Sequence, residues 1–266
     1  MEAADRLTVG SIAEEPYCVD SRSPLSEIRE HAVNQGYDWM PVRDDDGVIR
    51  RMVETNRLEY LTDFGEVKDQ ARKVTVDDLV GTEAPIFSIL KRLQDRPFLL
   101  CLGRSGIDRI VTRYDLNQPA AHYFGFALAI VIESEMARAI EIELVGFDDE
   151  AVAHFAEDAG IANNRIAKWR EAKQSSTQPR LINWLSFGDK LTVLRRAGAS
   201  RLMSRYSTVH APVATSIDML LADLKEVLEL RDAVAHEKPT LGDHSVMFRR
   251  LRIAHDLAHA LTTEAE

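Results

Sequence analysis

Cysteine is nearly absent: in 266 residues only Cys18 and Cys101 carry a thiol. Neither belongs to a Cys-x-x-Cys pair or a Cys/His cluster, which excludes a structural zinc site, and each sits in a short apolar run that reads as a buried strand. Positive charge is also scarce. Lys and Arg number 33 against 43 Asp and Glu, for a net formal charge of -10, the reverse of a surface built for non-specific nucleic-acid binding. Any contact with RNA must therefore be local. Two local concentrations exist, Arg195, Arg196, Arg201 and Arg205, and then Arg249, Arg250 and Arg252. They read as solvated helix faces or as phosphate contacts. Long apolar runs are missing too. The most apolar stretch, Tyr123 to Ile132, is interrupted by Glu133 and Glu135, far short of the roughly 20 residues a bilayer span needs. It reads as a buried helix, and no membrane partner is expected. Met1 to Asp5 form neither a basic leader nor an apolar signal core, so a cytoplasmic location is the expectation.

What is present is ample apolar material, 45% of the residues, enough for two ordinary domains. The N-terminal half carries a repeat. After the short run Tyr17-Cys18-Val19, the spacing of Leu25, Ile28 and Ala32 predicts a helix over Pro24 to Gln35, with Ser23 as N-cap and Pro24 in the first helical position. Trp39 to Val42, the turn Asp44-Asp45-Asp46-Gly47 and Val48 to Val53 predict a β-hairpin. Leu58, Tyr60 and Leu61 begin another helix. The same order recurs about 60 residues later: an apolar helix from Pro85 through Leu93, a strand over Phe98 to Leu102, a turn at Gly103 to Gly106 and a strand over Ile107 to Val111. Two copies point to one pseudo-symmetric unit and not to a long array.

Over residues 7 to 117 this order resembles the CBS (cystathionine β-synthase) domain pair. The family places Thr or Ser just after the last strand and Asp three positions on, and Thr112-Arg113-Tyr114-Asp115 satisfies that pattern. The first repeat departs from it, with Glu54 and Arg57 at the two positions. The resemblance implies an adenosine-type ligand such as AMP or ATP in at most one well-formed site. There the Asp115 carboxylate would accept hydrogen bonds from the ribose, and Thr112 with the N–H groups of the next helix start would hold a phosphate. As an isolated motif, Thr-x-x-Asp also reads as an ordinary helix start.

From about Pro119 the strand signals vanish. Leu128, Val131, Ile132, Met136, Ile140 and Leu144 predict a long helix ending near Gly146, followed by helices over Ala151 to Ala159 and Asn163 to Lys173. Gln174 to Pro179 read as a polar loop. Asp189 is the predicted cap of a helix through Leu191 and Leu194, and Ser216 to Leu230 is strongly amphipathic. The expected fold class is therefore α+β, with a tandem α/β module over 1–117 and an all-α bundle over 118–266.

Arg231-Asp232-Ala233-Val234-Ala235-His236 matches an arginine, a polar residue, three further residues and a histidine. The segment resembles the catalytic signature of the HEPN ribonucleases, and Trp184 to Lys190 looks like the lead-in to a helix in abortive-infection members of that family. Metal-free cleavage of RNA needs a base for the 2′-hydroxyl proton and a cation against charge developing on the phosphorane, which His236 and Arg231 would supply. Asp232 would orient one of them. The resemblance implies 2′,3′-cyclic phosphate products, no catalytic cofactor or metal, an RNA substrate and a homodimer. On an ideal straight helix Arg231 and His236 point about 140° apart, so two copies of the motif around one phosphate would complete the site. A helix beginning near Ala120, just after Asp115, would carry a nucleotide signal to it. Such a protein would suit phage defence or growth arrest as a toxin, with a separate antitoxin an open matter. The bare Arg/His spacing also arises by chance, and a non-catalytic nucleotide sensor that dimerises or docks on a partner is the alternative. His255 and His259, at i and i+4, lack the glutamate of the metalloprotease pattern and read as packing or surface residues.

Overall fold

The computed structural model describes residues 6–58, 65–161, 163–174, 180–210, 216–236 and 244–263. The chain divides into two compact units between Ala121 and His122.

The first unit opens on a 3-10 turn, Val9–Ser11, followed by β1 (Val19–Asp20), α1 (Leu25–Gln35), β2 (Trp39–Arg43), β3 (Ile49–Glu54), α2 (Thr55–Leu58), α3 (Val67–Gln70) and β4 (Arg72–Lys73). A second 3-10 turn, Val76–Asp78, leads into β5 (Leu79–Gly81), α4 (Phe87–Leu90), α5 (Arg92–Asp95), β6 (Phe98–Gly103) and β7 (Gly106–Thr112). The strands form two sheets, in the orders β1-β2-β3-β4 and β5-β6-β7. In each, the first strand pairs parallel with the second, and the second pairs antiparallel with the third. Both hairpins stand where the turn residues predict them, and Gly47, at φ +79°, supplies the left-handed residue that the first turn requires.

The core is divided in two by alternation along the strands, together with a register shift between Val42 and Arg43 that brings Ile49 to the same side as Met52. Met40, Val42 and Val53 face α1 and pack with Leu25, Ile28 and Ala32. Ile49 and Met52 point the other way and meet Phe98 and Leu100 of the second repeat. The hairpin is thus the shared wall of both cores.

The straps leading into the two repeats are exchanged. The strap before the first repeat lies on the second: Val9 N–H donates to the Ala84 carbonyl at 2.7 Å, Gly10 N–H to Thr82 at 2.8 Å, and Glu14 and Ile110 exchange a pair of bonds at 3.0 and 2.9 Å. The segment between the repeats lies on the first, with Val67 N–H donating to Ser23 at 3.1 Å and Lys68 N–H to Ser21 at 3.0 Å.

Several local expectations need correction. Pro24 is itself the N-cap of α1, extended at ψ 142°, and no side chain caps the helix; the Ser23 N–H instead closes a turn on the Asp20 carbonyl at 3.0 Å. Cys18 precedes β1 and is half-buried, whereas Cys101 is fully buried in β6. Burial raises both thiols, that of Cys101 to about 12. Tyr60 and Leu61 lie outside the described residues.

The second unit is helical. Its elements are α6 (Pro119–Glu143), which starts just before the boundary, α7 (Asp149–Asp158), α8 (Asn163–Lys173), α9 (Phe187–Ala197), α10 (Ser200–His210), α11 (Ile217–Ala235) and α12 (His244–Thr262). Residues 175–179 of the expected polar loop lie outside the described residues. α6 is two-faced and not buried all round: Phe124, Leu128, Ile132, Met136 and Ile140 are buried at helical spacing, while Tyr123 and Ile130 are 69% and 50% exposed. The cap of α9 is Ser186, and Asp189 is the reciprocal partner of its capping box. Asp189 therefore acts from inside the first turn.

Gly125 lets α6 approach α11 and α12 closely, since a Cβ there would stand 2.8 Å from Leu251 Cδ2 and 3.2 Å from Leu230 Cδ2. Both leucines are fully buried. Gly125→Val should cost about 1–3 kcal/mol through overpacking. Urea denaturation checks this, and an unchanged midpoint would mean that the neighbours yield freely.

Candidate functional sites

Thr112 closes β7, and the chain turns into a 3-10 segment, Tyr114–Asn117, that contains Asp115. Asp115 is 4% exposed. Its Oδ2 accepts the Thr112 N–H at 2.6 Å and the Thr112 hydroxyl at 2.8 Å, and Thr112 Oγ1 accepts the Tyr114 N–H at 3.2 Å. Arg113 pins the turn to the end of α5 by donating from Nε to the Leu93 carbonyl at 2.7 Å and from Nη2 to the Gln94 carbonyl at 2.8 Å. A carboxylate offers about four lone-pair positions, so two donors leave it capacity for a diol.

Burial is the main force on the Asp115 carboxyl and raises it to about 6; the Thr112 hydrogen bonds oppose the shift, and the nearby charge of Glu14 adds to it. The folded chain thus holds this proton more tightly than the unfolded chain, whose carboxyl titrates near 3.9. Between those values stability falls as pH rises, by on the order of 2–3 kcal/mol from this residue. Urea midpoints at pH 4.5 and 6.5 should show that fall, and Asp115→Asn should flatten it.

The corresponding place in the first repeat is built differently. At the end of β3, the Thr55 hydroxyl turns back onto the Tyr37 carbonyl, and Asn56 donates to Asp38 at 3.1 Å. The side chain of Arg57 lies outside the described residues. Another Thr-x-x-Asp stands in the turn between the repeats: Thr75 N–H and hydroxyl donate to Asp78 Oδ2 at 2.8 and 2.9 Å. Here two guanidinium groups are added. Arg72 donates to both Asp78 oxygens at 2.8 and 3.1 Å, and Arg96 donates to Oδ1 at 2.8 Å. The available signal was a Thr-x-x-Asp standing just before the second repeat; the same pattern at Thr215–Asp218 and Thr240–Asp243 shows that the spacing alone does not single it out.

In the helical unit, α11 buries Leu220, Leu224, Val227, Leu230 and Ala233 along one face. Arg231 and Asp232 flank that face, and Arg231 Nη1 donates to Asp232 Oδ1 at 3.2 Å. Arg231 Nε also stands 3.8 Å from Glu133 Oε2 of α6, whose Oε1 accepts Lys190 Nζ of α9 at 2.7 Å. Lys190 is only 6% exposed. His236 is not helical. It is the C-cap of α11 at φ -119°, its N–H donates to the Asp232 carbonyl at 3.2 Å, and its side chain is exposed. The fold therefore gathers Arg231, Asp232, Glu133 and Lys190, and among the described residues no hydrogen bond or ion pair joins Arg231 to His236. The straight-helix estimate fails because the helix stops at Ala235.

Much of the arginine clusters is committed to ion pairs. Arg249 and Arg250 hold Glu226 at 3.1 and 3.0 Å, and Arg250 also meets Glu229. Arg205 pairs with the buried Glu135 at 3.1 Å. The His255 and His259 rings lie 6.4 Å apart, and among the described residues no group of three or more His, Cys, Asp or Glu is placed to hold a metal. No helix among them is long and apolar enough to cross a membrane.

The first unit is thus a pair of parallel-then-antiparallel three-strand repeats, with α1 between the first two strands of one and α4 and α5 between those of the other. No protein-family model and no curated protein matches the chain. The chain is similar in structure to the CBS domains of a transcriptional regulator from Streptococcus pneumoniae, at 15% identity over 42% of this chain and 98% of that one, with a TM-score of 0.38. A CBS-pair protein from Arabidopsis thaliana matches at 16% identity over 44% and 95%, also at 0.38. The CBS domain of a bacterial CNNM/CorC family Mg2+ transporter, solved in complex with ATP, matches at 15% identity over 43% and 87%, again at 0.38.

Proposed function

We propose that the first unit is a CBS-type sensor of an adenine nucleotide and that the helical unit is a HEPN-type, metal-independent endoribonuclease acting as a homodimer. The observation that carries the catalytic reading is the end of α11: Arg231 sits within the last turns, and the helix stops at Ala235, leaving His236 exposed as the C-cap. A histidine so placed is free to meet RNA and a second copy of the motif.

In the proposed reaction, neutral His236 takes the 2′-hydroxyl proton, O2′ attacks phosphorus, and the P–O5′ bond breaks. The leaving O5′ receives a proton from the imidazolium of the second copy's His236. Arg231 balances the charge that grows on the phosphoryl oxygens. The products are a 2′,3′-cyclic phosphate and a 5′-hydroxyl. Asp232 orients Arg231, to which it is bonded. On the sensor side, Asp115 accepts from the ribose and Thr112 contributes to phosphate binding. RNA cleavage under nucleotide control fits phage defence or growth arrest, with or without a separate antitoxin.

A second reading is favoured by one contact set. Arg231 already faces two carboxylates, Asp232 at 3.2 Å and Glu133 at 3.8 Å, which suits a non-catalytic nucleotide sensor whose helical unit only dimerises or docks on a partner. Purified protein incubated with total RNA and EDTA, with and without AMP or ATP, separates the two. The ribonuclease reading expects cyclic-phosphate ends in wild type and their loss in Arg231→Ala and His236→Ala. Intact RNA under every condition leaves the sensor reading. For the sensor half, ATP or AMP at 100 times its dissociation constant should stabilise the wild type by about 2.7 kcal/mol, and Asp115→Ala should abolish that gain. A wild type that no adenine nucleotide stabilises would end the proposal.

A further inference from the structure

We infer that Glu133, held by Lys190, is the positioning residue for Arg231, an inference that rests on the ribonuclease reading of the same site. The three side chains come from three helices, α6, α9 and α11, and Lys190 and Glu133 are 57 positions apart in the chain. Lys190, 6% exposed, needs a partner charge, because an ammonium without one is costly to bury. Glu133 supplies that charge through one oxygen, at 2.7 Å, and turns the other to the Nε edge of Arg231, at 3.8 Å.

Division of labour between the two oxygens follows from this geometry. Lys190 fixes the carboxylate through a hydrogen bond, and the carboxylate faces the inner edge of the guanidinium across an ion-pair distance of 3.8 Å. Asp232 takes Nη1 at 3.2 Å. Two cations and two carboxylates balance, so the cluster is electrically neutral before a phosphodiester arrives. Glu133 does not touch the substrate. It sets the direction from which Arg231 meets the phosphate, and orientation of this kind is worth about tenfold to 100-fold in rate.

The test separates positioning from mere support of the fold. Glu133→Gln keeps the shape and removes the charge. In full-length protein it should lower kcat for RNA cleavage by at least about tenfold with KM changed less than about twofold. An exchange variant, Glu133→Lys with Lys190→Glu, restores the buried pair but sets an ammonium beside Arg231. It should regain most of the thermal midpoint lost in Glu133→Gln, while cleavage stays depressed. Recovery of cleavage together with stability would show a purely structural pair and overturn the inference. Should the exchange variant fail to fold, Glu133→Gln decides, and an unchanged kcat overturns it. If wild type cuts no RNA, the ribonuclease reading falls by itself, and rotation of the Arg231 guanidinium, followed by nitrogen-15 NMR, decides the positioning. Slow rotation in wild type that turns fast in Glu133→Gln supports it, and the same rate in both overturns it.

Discussion

Replacing Asp78 by alanine should cost the first unit about 3 kcal/mol, near the low end for breaking a buried ion pair. The carboxylate is 1% exposed and receives Thr75 through two bonds, Arg72 through two and Arg96 through one. Arg72 also lies 5.2 and 5.3 Å from the ring centres of Trp39 and Phe98, which belong to different repeats. Loss of Asp78 therefore frees a guanidinium at the seam of the two sheets. Arg72 and Arg96 are 40% and 34% exposed, so they regain water, which keeps the cost at the low end. Burial by itself would raise the Asp78 carboxyl, but hydrogen bonds from Arg72 and Thr75 outweigh it and hold the group well below the usual carboxylate range. The contribution is thus present above the unfolded value near 3.9 and is lost progressively as pH falls from there through the folded value. A lower urea midpoint at pH 7, with a gap that narrows steadily as pH falls from 4 toward 2, is the expected measurement. Equal midpoints for wild type and Asp78→Ala at pH 7 would mean that the five bonds contribute nothing net.

His236→Ala should lower cleavage by about 10²- to 10⁴-fold, the usual worth of a positioned acid–base group. The thermal midpoint should hardly move, because the side chain is exposed and caps no core. Arg231→Lys is the informative companion. It keeps the charge but gives up the planar fork whose edges meet Glu133 and Asp232, and lysine does not reproduce that geometry. Its cleavage should therefore resemble that of Arg231→Ala more than wild type. Full activity in His236→Ala would move the chemistry to another residue.

The two hairpins were legible because their information is local: short apolar runs flank a turn, Asp46-Gly47 in the first and Gly103 to Gly106 in the second. The helical character of the second half was legible for the same reason, from the spacing of Leu128, Ile132 and Met136. The strap exchange was not, since bonds such as Val9 to Ala84 run between backbones and leave no mark on residue type. Ser186 and Asp189 are both cap-forming residue types, and which of them stands outside the first turn is set by the backbone and not by residue type. The motif from Arg231 to His236 could be seen as a string, but the end of α11 at Ala235 separates its two ends. Glu133 was invisible as a neighbour of Arg231, because a contact between distant helices has no period in the sequence.

Synthesis of the chain adds an order of events that the finished fold conceals. Glu14 leaves the ribosome almost a hundred residues before Ile110, with which it exchanges two backbone bonds. At roughly 5–20 residues per second, the opening strap waits about 5–20 s for its seat. During that interval the first repeat can close on its own borrowed segment, Val67 and Lys68, while residues 7 to 14 stay unpaired. The nascent chain should accordingly be most open to proteolysis around residues 7 to 14, and that sensitivity should end only when β7 has emerged.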